Sequence, residues 1–345
     1  MGERYPRLRL RGIPEGRVLR EGQPYRPRRQ LLAREVFRIV FYLPHDHSDL
    51  APAVSQALAR YLSAVGEGPK SIRDVSISYD EGGALTPERW DLVRRLLQDT
   101  RPWSYPKDYE PWEQREIEKR RFERGLLFTG GFGIRNGYEF EYKARIPSRP
   151  TLSNTAVSVL TATVPVDYLE ERGPEQVRQL VLDIAAPLPF ASGHAGLALK
   201  PYGPLPFTDA VFRTELLRYP GIDLREAWGF LERMGPHVDG VHWLNFLGAP
   251  LIVQLGGAST LRAQLHSAAT TVVSLDGARA LVALGERPES GDSVIGERLP
   301  AYDELAQRLT PMLEPITIDK HLARSHALPQ SNTNETQRLR RRLLE

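Results

Sequence analysis

Eight histidines and no cysteine define the range of chemistry open to this chain of 345 residues. Without thiols there is no disulfide, thiolate metal site or cysteine nucleophile, so a metal would have to be held by imidazole and carboxylate. Two clusters have that make-up. In His45-Asp46-His47 the two imidazoles share a face only if a strand runs through them, and Pro44 and Ser48 instead mark a turn entering a helix. In His237-x-Asp239-x-x-His242 the three side chains could converge at a turn, but the spacing matches neither HExxH nor another two-histidine motif. Either cluster would serve a metal-dependent hydrolase, the main catalytic alternative. His194, His266, His321 and His326 stand alone in sequence and suit hydrogen-bonded or solvent-facing roles.

Other reactive signatures are missing. The run Gly130–Gly137 (GGFGIRNG) misses the GxGxxG spacing, and no Gly-Lys-Ser/Thr follows, so a turn between strands explains its glycines better than a phosphate cradle. Ser192 has Ala191 and Gly193 beside it but no GxSxG elbow. The acid pairs Glu139/Glu141 and Glu170-Glu171 fall on strand or helix faces, where solvation is the ordinary reading. No catalytic residue, metal or cofactor is therefore predicted.

The elements that would position any site are legible from periodicity. The β-branched and aromatic run Glu35–Leu43 reads as a buried strand, and Leu50, Val54, Leu58, Tyr61, Leu62 and Val65 then recur at helical spacing between an N-cap at Ser48 and a stop at Gly66. A second strand at 72–79 and a helix opened by Thr86-Pro87 repeat the plan. Strands are expected at 126–128, 137–146 and 156–164, a helix from Gly173-Pro174-Glu175 carries Val177, Leu180, Val181 and Ile184, and a strand follows at 190–199. Beyond it come helices near 207–217 and 300–313 and strands near 241–246, 270–275, 280–285 and 316–318. Hairpins beside separate helices indicate an α+β fold, a mixed and mainly antiparallel sheet covered by helices in a single composite domain at 31–319. Residues 1–30 read as a basic, Pro-rich arm, mostly irregular with a short strand near 17–19. Residues 320–345 read as a polar, basic tail.

Charge separates along the same boundaries. Nine Arg against three Glu give residues 1–30 a net +6, and Lys320 with five Arg against two Glu give residues 320–345 a net +4. With +3 overall, residues 31–319 carry −7, so the folded part is acidic. Arg7, Arg9 and Arg11 at one end and Arg338, Arg340, Arg341 and Arg342 at the other raise nucleic-acid binding as a second alternative, although no recognised DNA- or RNA-binding motif accompanies them. No run of 18 apolar residues and no apolar leader is visible, which points to a cytoplasmic protein without a membrane span.

Three stretches resemble the type VI immunity family, formerly a domain of unknown function, found in bacteria beside toxin genes of polymorphic and type VI secretion systems. They are VFRIVFYLPHDHSDLAPAVSQALARYL, the run from Val164 to Leu199, and a series of landmarks in the last third of the chain. That series joins Arg218-Tyr219-Pro220-Gly221-Ile222-Asp223 to Gly240-Val241-His242-Trp243-Leu244-Asn245-Phe246-Leu247-Gly248, then Gly256-Gly257, Gly285-Glu286-Arg287-Pro288, Gly291-Asp292 and Pro300-x-Tyr302. The chain departs at His242, where the family often carries Asn. The resemblance implies a protein that binds and neutralises a cognate toxin by occlusion, with no catalytic residue. Pro220, Gly221, Trp243, Leu244, Gly256, Gly257, Pro288 and Gly291 read as scaffold, the glycines suiting turns with positive φ and Trp243-Leu244 a buried strand. Two surfaces are candidates for the toxin. One is the aromatic run Trp103, Tyr105, Tyr109 and Trp112, of the residue types enriched at binding hot spots. The other comprises the acidic turns Asp80-Glu81 and Glu286/Glu289/Asp292, which would suit a basic toxin such as a nuclease.

Overall fold

The computed structural model describes residues 5–12, 30–78, 82–98, 125–131, 136–145, 155–201, 218–223 and 234–314. The aromatic run at 101–112, the turn Asp80-Glu81, the expected helix near 207–217, the strands near 17–19 and 316–318 and the basic tail at 320–345 lie outside them.

The run Glu35–Leu43 belongs to the longest strand, β2 (Gln30–Leu43), which pairs antiparallel with β7 (Ser158–Pro165) on one side and β8 (Ser192–Pro201) on the other. Phe37, Ile39, Phe41 and Leu43 enter the main core, while Val40 and Tyr42 enter a smaller cluster on the opposite face with Val157, Val159 and Met234. Burial on both faces is what a strand without polar alternation requires. With β1 (Leu10–Gly12), β3 (Asp74–Ile77), β4 (Gly83–Ala84), β5 (Gly125–Thr129), β6 (Glu139–Lys143), β9 (Leu244–Leu247), β10 (Thr270–Ser274) and β11 (Ala280–Leu284), these strands form an eleven-stranded sheet. Its order is β10-β11-β9-β8-β2-β7-β6-β5-β3-β4, with β1 beside β2. Every ladder among the described residues is antiparallel, and parallel contacts occur as isolated bridges such as Ala198 to Asp223. The fold is α+β, as the hairpin pattern implied.

The described helices are α1 (His47–Val65), α2 (Pro87–Gln98), α3 (Val166–Arg172), α4 (Pro174–Ala185), α5 (Ala249–Gln254), α6 (Ala258–Gln264) and α7 (Pro300–Leu309). Val177, Leu180, Val181 and Ile184 of α4 are all buried, the outcome their i, i+3, i+4, i+7 spacing demanded. Helix α1 begins at His47 with Asp46 at the N-cap, not at the expected Ser48; the Asp46 carbonyl already accepts from the Leu50 amide at 3.2 Å. Gly66, at φ +77°, ends it as expected. Near the amino terminus, Tyr5 and Leu8 are buried and β1 runs antiparallel to β2, so residues 5–12 of the Arg-rich segment pack onto the sheet.

Candidate functional site

The sheet face away from the main core holds a buried polar centre. Tyr42 and Arg38 project from β2, two positions of the same parity as Val40; His194 lies opposite Val40 on β8, and Asn245 opposite His194 on β9. Over them pass the segments 218–223 and 234–243. The first is tied to β8 by the Asp223 amide donating to the Leu197 carbonyl (2.9 Å) and the Leu199 amide donating to the Asp223 carbonyl (2.8 Å). Arg38 donates to the Asp223 carboxylate, His194 Nε2 lies 3.4 Å from the same carboxylate, and Tyr42 donates its hydroxyl proton to Asp239 at 2.6 Å. Asn245 closes the turn below. Its Oδ1 accepts from the His242 amide at 2.9 Å, and its Nδ2 donates to the His242 carbonyl at 2.6 Å and the Val282 carbonyl at 3.3 Å. Burial opposes the charge on Asp223, yet Arg38, with His194 and His242, outweighs it and holds the carboxyl well below the usual carboxylate range.

His194, Asp223 and His242 have nitrogen and oxygen atoms within 4.8 Å of one another, a donor set that could attract a metal by distance. Ring orientation opposes it. The two imidazoles are stacked, 3.7 Å between centroids and 12° from coplanar, so their in-plane lone pairs run side by side and do not converge on one ion. The Asp223 carboxylate is already neutralised by a guanidinium. What the arrangement does is tie three strands to two covering segments through a dense polar network.

The two sequence clusters of histidine are taken apart by the fold. His47 is buried, with Nε2 2.8 Å from the Leu96 carbonyl and Nδ1 3.2 Å from the Tyr142 hydroxyl. A carbonyl only accepts, so Nε2 carries the proton; in the neutral ring Nδ1 then accepts from Tyr142. His45 uses its backbone carbonyl to accept from Ser158 at 2.9 Å and does not join His47. In the second cluster Asp239 faces Tyr42, His242 faces His194, and His237 contributes a backbone carbonyl to Ser192 Oγ at 2.7 Å. Ser192 is structural, as its lack of an elbow implied. The pairing of His194 with His242 was beyond sequence reasoning, because the two lie on separate elements.

Glu139 corrects an expectation. It is 1% exposed on β6 and accepts from Lys200, so it is a buried ion pair and not a solvated acid. Glu170, by contrast, is partly exposed and meets Arg7, while Arg7 and Arg9 also face Glu35 and Asp167. Both arginines meet carboxylates of the fold, Arg7 at 16% and Arg9 at 51% side-chain exposure.

At the opposite end of segment 218–223 a surface loop, residues 285–298, is held just as firmly. Arg218 grips Asp292 with a fork of contacts at 2.6, 2.9 and 3.0 Å, the Ser293 amide donates to the Arg218 carbonyl at 2.8 Å, and the Gly221 amide donates to the Ser290 carbonyl at 2.8 Å. Arg218 is also what holds the Asp292 carboxyl below its ordinary pKa. Gly221 is required by close approach and not by positive φ: a Cβ there would sit 2.1 Å from the Glu289 carbonyl oxygen. Gly256, Gly257 and Gly291 do take positive φ, as expected. Trp243 is buried, edge-on to Phe37 at 5.8 Å, and donates its indole N–H to the Gly285 carbonyl at 3.0 Å, fixing the loop's origin; Leu244, also buried, starts β9. Pro288 is buried, Glu286 and Glu289 are exposed, and Asp292 is spent on Arg218. No described helix is long and apolar enough to cross a membrane.

The family model TsiV, type VI immunity for VRR-NUC, matches residues 135–342. Among solved structures the chain is similar to the Pseudomonas aeruginosa T6SS protein PA0821, with a TM-score of 0.61 and 20% identity over 83% of this chain and 79% of that one, a likeness of fold. No curated protein sequence matches.

Proposed function

The chain belongs to the TsiV family of type VI immunity proteins, and on that premise we propose that it binds a nuclease toxin of the VRR-NUC kind and blocks it by occlusion, without cofactor or turnover. The match over residues 135–342, which takes in His194, Asp223 and His242 of the buried centre and all of the loop 285–298, carries the reading. Charge supports it. A nuclease grips phosphates with Lys and Arg, and the −7 of residues 31–319 suits a basic partner and speeds encounter with it. A toxin of that kind threatens the nucleic acid of the producing cell, so the place of action is the cytoplasm. The toxin-facing residues are proposed among exposed Glu286 and Glu289, with the acidic turn Asp80-Glu81 and the aromatic run Trp103, Tyr105, Tyr109 and Trp112 as further contacts.

The test is co-expression with a nuclease toxin of the VRR-NUC kind found in a neighbouring gene. Protected growth and co-purification of the two chains are expected. Growth arrest despite full expression of this chain would reject the reading.

A further inference from the structure

Loop 285–298 does more than present two acids. From Ser293 to Arg298 every residue is exposed, and at its tip Val294 and Ile295 are 71% and 74% exposed. Single exposed aliphatics are ordinary on a protein surface, but two adjacent ones on a firmly built loop are not. The build is extensive. Asp292 and Glu297 exchange backbone hydrogen bonds at 2.9 and 3.3 Å across the base of the tip, the Asp292 carboxylate accepts from the Val294 amide at 3.0 Å, and Gly291 and Gly296 take φ of +60° and +72° to turn the chain. Arg218, Gly221 and buried Leu299 clamp the rest. The side chains are therefore pre-organised, which lowers the entropy lost on binding.

Along the loop acids outnumber bases. Glu286, Glu289 and Glu297 are exposed, against Arg287 and Arg298. An apolar tip on a loop whose acids outnumber its bases suits an apolar notch in a basic protein surface.

We propose that Val294 and Ile295 are the apolar anchor by which this chain docks into its basic nuclease toxin, with Glu286, Glu289 and Glu297 as the charged rim. The proposal rests on the immunity reading and adds the surface to it.

The experiment measures the Kd of the full chain for a catalytically inactivated toxin domain by titration calorimetry, using wild type, V294D/I295D, V294A/I295A and, as a control, V253D, since Val253 is 77% exposed on α5 outside this loop. The Asp pair is expected to raise Kd by about 100-fold and the Ala pair by about 30-fold, the scale of a hot-spot anchor. V253D is expected to stay within about threefold, and thermal melting of all variants to stay within about 2 °C of wild type, because no buried contact is removed. Wild-type binding with both loop variants inside about threefold would overturn the proposal while leaving the immunity reading intact. Failure of the wild type to bind would overturn that reading and this one with it.

Discussion

Two Arg–Asp pairs flank the same short segment, and they differ in what they hold. At one end Asp223 meets Arg38 inside the protein, the side chains 5% and 4% exposed. At the other end Arg218 meets Asp292 at the surface, at 34% and 10%. The chemistry is identical, a guanidinium on a carboxylate, but the surroundings assign the roles. The inner pair is surrounded by His194, His242, Tyr42 and Asp239 and fastens segment 218–223 to the sheet. The outer pair fastens a loop to that segment, leaving Val294 and Ile295 in water. Among the described residues the His194–Asp223–His242 group thus lies in the sealed part, while the loop 285–298 carries no histidine. A constellation of His and Asp is evidence of chemistry only when something can reach it.

Removing one member of the inner pair should give the largest effect. R38A strands a buried carboxylate, and a loss of about 3–5 kcal/mol in urea-unfolding stability is expected; R38M/D223L, which removes both charges, should recover most of it. If R38A unfolded at the wild-type urea concentration, the inner pair would not be a fastening.

Acid is the next lever. The folded-state pKa of Asp223 is depressed, so its contribution is present in full above the unfolded value near ~4 and is lost as pH falls through the folded value. Stability should be flat on this account between pH 7 and 5, then fall below about pH 4 by about 1.4 kcal/mol per pH unit for this group. D223N, already weakened at neutral pH, should show a shallower acid slope. Equal slopes in the two proteins would place the acid-sensitive group elsewhere.

The smallest change in stability belongs to the outer pair. R218A breaks a partly exposed ion pair and should lower the urea midpoint far less than R38A does. Its effect should appear in function, as a rise of about tenfold or more in the Kd for toxin from a loosened loop. A variant that lost stability and kept its affinity would invert the comparison.

Much of the frame was legible in the sequence for reasons the two regions make plain. Strand β2 and helix α4 declared themselves because long periodic runs are local signals, and the Gly and Pro landmarks marked turns. Helices α5 and α6, of six and seven residues, are too short to display a period and were not anticipated. The buried centre was unreadable because its partners are remote: Arg38 and Asp223 are 185 residues apart, and antiparallel pairing in this order brings β8 beside β2. Neighbours in sequence misled for the converse reason, since Asp239 and His242 turn to different partners. Of the surface site, the acidity of the loop was visible. The apolar tip was not singled out, although Val294-Ile295 between Gly291-Asp292 and Gly296 is a signal that could have found it: two aliphatics inside a turn-rich, charged segment.

In the proposed function this chain neutralises by staying bound. Titrating it into a fixed amount of active nuclease toxin, with nucleic-acid cleavage as the readout, tests that directly. Activity should fall in a straight line and reach its floor at one chain per toxin, with no change on longer preincubation. Inhibition that deepens with time at a small fraction of one equivalent would mean catalytic turnover and contradict the account, as would undiminished cleavage in excess of this chain.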